Sequence, residues 1–148
     1  MNYVRSHVLV CAGAGCVASG ALELSEAIQQ ALRKHGLDKE INIVHTGCLG
    51  PCAIGPVIVV YPDGVFYQGV KPADADHLVE EHLLKGRVVE RLNFKTATTE
   101  QVIPALQEIE FFQQQQKIVL RNCGAIDPTN IEEYIARDGY QALAKALS

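Results

Sequence analysis

The chain has 148 residues, of which 48% are hydrophobic and 20% are charged, and its formal net charge is −4. These values are typical of a globular domain with its own core, and the lack of a basic excess argues against a nucleic-acid partner. The sequence shows neither a signal peptide nor an apolar run long enough to span a bilayer. We therefore expect a cytoplasmic protein without membrane insertion.

The first part of the chain alternates apolar strand-like runs with helical patterns. Strands are predicted over residues 7–10, 41–45, 57–61 and 65–70, and helices over residues 21–35 and 72–84. The order is βαβ followed by ββα. It predicts an α/β fold of thioredoxin-like topology, a mixed sheet with flanking helices. Pro56 precedes a strand at the place where such folds usually carry a cis proline, so a cis Pro56 is expected.

The composition changes after about residue 95, which divides the chain into a first domain (1–94) and a small, mostly helical extension (95–148). The capping-box spacing of Thr98 and Gln101 predicts a helix over 99–112. A strand is predicted over 117–121. A further helix is predicted from Asp127-Pro128 to residue 136, with Pro128 in its first turn, and a last helix over 140–147.

Four of the five cysteines form two pairs, Cys11 with Cys16 and Cys48 with Cys52, spaced C-x4-C and C-x3-C. Each pair follows a predicted strand, so four thiolates are expected to meet at one end of the sheet. In an intracellular chain with an odd number of cysteines, this pattern indicates a metal centre before disulfides. A [2Fe–2S] cluster is favoured, because small residues around the cysteines let the backbone approach closely: Ala12 to Gly15, Gly47, Gly50, Pro51 and Gly55.

Three alternatives to the cluster stay open at this point. Structural zinc accepts four thiolates from pairs of this spacing, although such sites usually stabilise folds with a smaller core. A thiol–disulfide oxidoreductase is suggested by CLGPC, which has one residue too many. A dinucleotide site is suggested by Gly13 to Ala18, which fits G-x-G-x-x-A, but the second strand ends without an acidic residue for a ribose.

Other polar residues receive structural interpretations. His77 and His82 match no metal-binding spacing and are assigned to a surface helix. His45 is either a strand-end residue or a hydrogen-bond donor near the cysteines. Cys123 has no cysteine neighbour and is interpreted as a buried structural thiol. Three further charged residues are assigned to a solvated helix face: Glu132, Glu133 and Arg137.

The segment from residue 7 to about residue 92 resembles the thioredoxin-like [2Fe–2S] ferredoxins, which include the small peripheral subunit of complex I. The two cysteine pairs and the run GPVIVVYPDGVFYQGVKPADAD carry this likeness. Residues 111–147 resemble the start of the flavoprotein subunit of the same complexes. The resemblance implies one-electron transfer through a [2Fe–2S] cluster in the NAD(P)H-oxidising subunit of an [FeFe]-hydrogenase or a similar dehydrogenase. It also implies as ligands Cys11, Cys16, Cys48 and Cys52.

The tandem order of the two resemblances implies a flavoprotein domain and other iron–sulfur subunits as partners. Ferredoxins of this kind often pair, so a homodimer is compatible with the sequence. The segments that would bind FMN, NAD(P) and a [4Fe–4S] cluster in such a parent are absent from these 148 residues. We therefore expect an N-terminal fragment that carries electrons and by itself neither binds FMN nor oxidises NADH.

Overall fold

A computed structural model describes residues 4–95, 102–103, 105, 108–116, 118–119, 121–122 and 126–148. The main sheet has four strands in the spatial order β2-β1-β3-β4. They are β1 (Ser6–Cys11), β2 (Ile41–Thr46), β3 (Ile58–Tyr61) and β4 (Val65–Tyr67). β1 runs parallel to β2 and antiparallel to β3, and β3 and β4 form an antiparallel hairpin. This mixed sheet confirms the predicted thioredoxin-like α/β fold.

Two helical segments flank the sheet. The short helix α1 (Ala14–Ala18) and the long helix α2 (Ala21–Lys34) connect β1 to β2. The second segment begins as a 3-10 turn (Pro72–Asp74), continues as α3 (Ala75–Leu78) and ends as a π-helix (Val79–Leu84). Both long helices therefore occur where they were predicted. The short helix α1 was not predicted from the sequence.

One face of the sheet carries both helical segments, and we call it the helical face. Side chains alternate between faces along a strand, and residues in register share a face. The helical face therefore contains the row His45, Val10, Ile58 and Tyr67. Ser25 of α2 bonds to His45 at 2.9 Å. The Tyr67 hydroxyl bonds to His82 Nδ1 at 2.9 Å. These contacts fix both helical segments to the sheet.

His82 is buried, so its assignment to a surface helix was wrong, whereas His77 is exposed as predicted. The backbone N–H of Val89 donates to the Tyr67 hydroxyl at 3.1 Å. The Tyr67 proton is then available to His82 Nδ1, which accepts it in the neutral imidazole. Burial lowers the pKa of His82, although the charge of Asp63 partly opposes this effect. This buried chain of hydrogen bonds holds the end of the second helical segment and the connector after it against the sheet.

The opposite face is covered by the C-terminal extension, and we call it the extension face. It contains the row Val44, Leu9, Val59 and Phe66. Phe66 packs against Phe94 and Phe112 with ring centroids 6.5 and 5.9 Å apart. The elements near β4 are a 3-10 turn (Glu90–Leu92), the strand pair β5 (Phe94–Lys95) and β6 (Val102–Ile103), and the helix α4 (Glu110–Gln113). Bridges from Asn93 to Tyr67 and from Ala105 to Val65 place the strand pair beside the outer edge of β4.

A second row on the extension face makes polar contacts with the last part of the chain. Asn42 donates to Asp127 Oδ2 at 3.3 Å, and Arg137 donates to the Tyr61 hydroxyl at 3.1 Å. His7 Nε2 lies 3.9 Å from Glu133 Oε1. Asn42, His7 and Tyr61 are in register across three strands. The interpretation as a solvated face was therefore wrong for Glu133, which is half-buried, whereas Glu132 and Arg137 are exposed as predicted.

Several predictions for the extension differ from the structure. Val102 and Ile103 form β6 instead of a helix, in keeping with the strand preference of β-branched residues. Of the predicted strand over 117–121, the described residues Ile118, Val119 and Arg121 are exposed and lie outside any strand. The capping pair at 98 and 101 lies outside the described residues, as does Cys123.

The two C-terminal helices are α5 (Ile131–Ala136) and α6 (Gln141–Leu147). α5 begins three residues after Pro128, because Asp127 Oδ1 accepts from the backbone and hydroxyl of Thr129 at 2.9 and 2.7 Å. This local turn competes with helix formation. The Asn130 side chain then caps α5 by accepting from the backbone N–H of Glu132 at 3.1 Å. Among the described residues, no helix is long and apolar enough to cross a membrane.

Candidate metal centre

The first cysteine pair lies inside the protein. Cys11 is the last residue of β1 and Cys16 lies in α1, and each is 1% exposed. The backbone N–H of Cys11 donates to the Val57 carbonyl at 3.1 Å, and that of Ala12 donates to the Thr46 carbonyl at 3.0 Å. These two hydrogen bonds therefore connect the first cysteine loop to Thr46 and Val57, which stand on either side of the second loop.

The second cysteine pair lies at the surface. Cys48 and Cys52 are exposed, and their Sγ atoms are 3.7 Å apart. Two sulfurs bound to one tetrahedral metal at about 2.3 Å would lie about 3.8 Å apart, so this separation suits two ligands of a single metal atom. The loop ends in one 3-10 turn, Cys52–Ile54, and the Gly55–Pro56 peptide bond that follows is cis, as predicted.

Glycines of each loop lie against cysteines of the other loop. A Cβ atom added to Gly13 would lie 3.1 Å from Cys48 Cβ, and one added to Gly15 would lie 3.3 Å from Cys52 Cβ. In the second loop, a Cβ atom on Gly55 would lie 2.9 Å from Cys16 Sγ. Gly47, also expected to permit close approach, has no such neighbour within 4 Å. A side chain at Gly55 would therefore be too close for the present packing, whereas one at Gly13 or Gly15 would require the facing loop to shift by a few tenths of an ångström.

The thiol pKa values report how the pairs are arranged. Burial, together with a hydrogen bond and the charge of neighbouring Cys11, raises the pKa of Cys16 to about 11, although a hydrogen bond from the Val57 backbone opposes this rise. The hydrogen bond with Cys48 and the charge of that neighbour raise the pKa of Cys52. The charge of Cys11 also raises the pKa of Cys52, so the two pairs influence each other electrostatically. Binding a metal would displace protons from these thiols.

This donor set fits a binuclear cluster. Within the part of the chain that the structure describes, no group of three or more His, Cys, Asp and Glu side chains has the geometry to hold a metal ion. The thiols instead form two pairs, and a [2Fe–2S] cluster takes two thiolates on each of its two irons.

The structure also places the other residues considered from the sequence. His45 is exposed near the end of β2 and bonds to Ser25, which favours its interpretation as a strand-end residue. Val57 was not recognised as part of the site, although its backbone contacts both buried cysteines. No residue pattern could have revealed it, since a backbone contact does not depend on side-chain type.

Comparison with known proteins supports this description. Residues 2–83 match the model of the family described as thioredoxin-like [2Fe–2S] ferredoxin. A 2Fe–2S ferredoxin of Clostridium pasteurianum is 34% identical over 96 residues, which cover 60% of this chain and 94% of that protein. A solved thioredoxin-like [2Fe–2S] ferredoxin from Aquifex aeolicus has a TM-score of 0.58 and 36% identity, and covers 68% of this chain and 99% of that one.

A further similarity is much shorter. The NADP-reducing hydrogenase subunit HndC of Solidesulfovibrio fructosivorans is 56% identical over 34 residues, which cover 23% of this chain and 7% of that subunit. The family match, by contrast, covers more than half of the present chain and includes both cysteine loops. The chain therefore belongs to the thioredoxin-like [2Fe–2S] ferredoxin family, and its cofactor is a [2Fe–2S] cluster that serves iron–sulfur electron transfer.

Proposed function

We propose that Cys11, Cys16, Cys48 and Cys52 are the four thiolate ligands of the cluster. The observation that supports this assignment most directly is the pairing of the thiols, since the Sγ atoms of Cys48 and Cys52 lie 3.7 Å apart and the neighbouring Cys11 contributes to the raised pKa of Cys16. One pair would hold one iron and the other pair the second iron. When bound, the cluster supplies a centre that takes up and releases one electron.

The two pairs then have different roles. The buried pair, Cys11 and Cys16, anchors the centre in the core and excludes water from that side. Cys48 and Cys52 lie at the surface, so of the two described cysteine loops the second is the one that a redox partner can approach closely. The Val57 backbone would continue to donate to the Cys16 sulfur, and donation of this kind stabilises negative charge on a thiolate ligand.

The test of this proposal is metal analysis of protein purified without oxygen. We expect about two irons and about two acid-labile sulfides per chain, with an S = ½ EPR signal after reduction. About one zinc per chain without iron would contradict the proposal and support a structural site. Substitution of each paired cysteine by serine identifies the ligands, as developed in the Discussion.

We also propose that this electron transfer takes place within an NAD(P)H-linked oxidoreductase, such as a hydrogenase or NADH dehydrogenase. The short similarity to the NADP-reducing hydrogenase subunit HndC supports this assignment. In this proposal, residues 95–148 are a linker and the start of a flavoprotein-type domain. The partners are then that flavoprotein domain and other iron–sulfur subunits.

The proposed role in an NAD(P)H-linked oxidoreductase is tested on the native protein purified anaerobically from its source. We expect NAD(P)H-dependent reduction of benzyl viologen, together with bound flavin and further iron–sulfur centres in the same preparation. A preparation with a reducible [2Fe–2S] centre but with neither flavin nor NAD(P)H oxidation would overturn the proposed role in an NAD(P)H-linked oxidoreductase. It would leave the ligand assignment intact.

A further inference from the structure

A cavity of about 670 Å³ lies between the second cysteine loop and the C-terminal extension. On the sheet side it is bordered by Thr46 and Gly47, the two residues immediately before Cys48. On the other side it is bordered by residues of the segment between 119 and 140. Its volume is that of a typical small-molecule site. Any molecule bound there would therefore contact the two residues that precede Cys48 in the chain.

The walls of this cavity suit a flat ring. Tyr134 and Tyr140 line it together, with ring centroids 5.2 Å apart and ring planes at 90°. Apolar side chains complete the wall, among them Ile126 and Ile131. Tyrosine rings arranged in this way offer both a face and an edge to an aromatic ligand, and such contacts are favourable beyond simple burial.

The polar groups of the wall divide into two sets. Asp127 and Asn130 are already engaged, since Asp127 accepts from Asn42 and Thr129, and Asn130 bonds to α5. Among the described residues, no hydrogen bond involves the side chain of Asn122 or the hydroxyl of Tyr134 or Tyr140. Both tyrosines are exposed. An amide and two phenols are therefore available as donors at the cavity wall.

The charge of the wall restricts the ligand further. Asp127 is the one charged side chain among the described residues that line the cavity. Its carboxylate is negative, because the Thr129 and Asn42 hydrogen bonds lower the pKa of Asp127 despite its partial burial. A phosphate or carboxylate would find no cation in this wall, so the geometry favours a neutral ligand.

We propose that this cavity binds a planar, neutral ring that carries carbonyl oxygens, as in a quinone or the ring system of a flavin. The tyrosines would contact the ring, and the free donors of Asn122, Tyr134 and Tyr140 would bond to its carbonyl oxygens. The site is built jointly by the ferredoxin-like sheet and the extension. It does not depend on the identity of the proposed parent enzyme.

The test measures binding of menadione and of lumiflavin to the oxidised, cluster-loaded chain by equilibrium dialysis. Tyr134→Ala should weaken binding about tenfold through loss of the ring contact. Asn122→Ala should weaken it about threefold through loss of a donor. The matched control is Ile135→Ala, because Ile135 is exposed on the same helix as Tyr134 but does not line the cavity. Binding by this control should equal that of the parent chain.

Binding of menadione but not lumiflavin would identify a quinone site, and the reverse would identify a flavin-ring site. Either outcome supports the proposal if the Tyr134 and Asn122 variants lose affinity while retaining the circular dichroism and visible absorption of the parent chain. Absence of binding by both probes would overturn the proposal. Equal affinities in all four proteins would overturn it as well, because binding would then lie elsewhere.

Discussion

Each of the two cysteine loops carries one pair of the proposed thiolate ligands, but the two pairs differ in burial. In the first loop, Cys11 and Cys16 are buried and one of them lies in a helix. In the second loop, Cys48 and Cys52 are exposed and only a 3-10 turn follows. An electron-transfer site must be held rigidly and must also be accessible to its redox partner. In the proposed roles, the buried first loop holds the cluster in place and the exposed second loop makes it accessible.

The largest expected difference is in thiol reactivity without the cluster. In cluster-free protein, iodoacetamide should modify Cys16 about 100-fold more slowly than an ordinary exposed thiol, because the thiolate is the reactive form and the pKa of Cys16 is about 11. Its rate should rise about tenfold per pH unit below that value, since the thiolate fraction does so. Tandem mass spectrometry, which localises the label within each tryptic peptide, measures each rate, because Cys11 and Cys16 share one peptide and Cys48 and Cys52 share another.

Cys48 and Cys52 provide the internal comparison, because they are exposed in the same molecule. They should be modified first at neutral pH. Equal modification of all four thiols, in protein that retains its far-ultraviolet circular dichroism, would show that the buried and exposed loops do not differ in accessibility. The difference in burial that supports the proposed roles of the two loops would then be absent.

The next effect concerns cluster content after removal of one ligand. Cys16→Ser should lower the iron content about tenfold, because serine is a poorer ligand and the buried loop has no space to rearrange. Cys52→Ser should lower it only about twofold to threefold, because an exposed loop can shift to offer its oxygen or admit water. Iron and sulfide analysis of the two variants measures both losses.

Cys123→Ser is the control for this comparison, since Cys123 belongs to neither pair. It should leave the iron content unchanged. Bleaching of the Cys123 variant would contradict the ligand assignment, and equal losses in the Cys16 and Cys52 variants would contradict the division of roles.

A smaller effect is expected from the glycine that faces the buried thiol. Gly55→Ala places a methyl group 2.9 Å from Cys16 Sγ, which is too close for the present packing, and should lower cluster occupancy about threefold. Gly47→Ala is the matched control in the same loop, because its methyl group would meet nothing within 4 Å. Visible absorbance per chain gives both occupancies. Similar occupancy in the two variants would show that this approach between the loops is not needed.

The smallest effect should come from the contact on the exposed side. Gly13→Ala places its methyl group 3.1 Å from Cys48 Cβ, and the exposed second loop can move away by the few tenths of an ångström required. We expect occupancy to fall less than about twofold, with a small shift of the visible spectrum. A loss larger than that caused by Gly55→Ala would reverse the order of rigidity assigned to the two loops.

Much of the first domain could be predicted from the sequence. The apolar strand runs and the helical period of α2 are local signals, and they located four strands and both long helices. The cysteine spacing alone predicted that the thiols would form two pairs. Predictions failed where the signal was local but the outcome depended on distant partners. The predicted helix over 99–112 is one example, because Val102 and Ile103 pair instead with Phe94 and Lys95.

Local sequence patterns were sufficient for the fold class and the two cysteine pairs, because both follow from short-range periodicity and spacing. Which pair is buried was decided by tertiary packing, since burial depends on what covers each end of the sheet. Tertiary packing also decided that His82 lies against Tyr67 in the core, and that the extension lies over Phe66. These contacts join residues far apart in sequence, and no local pattern specifies them.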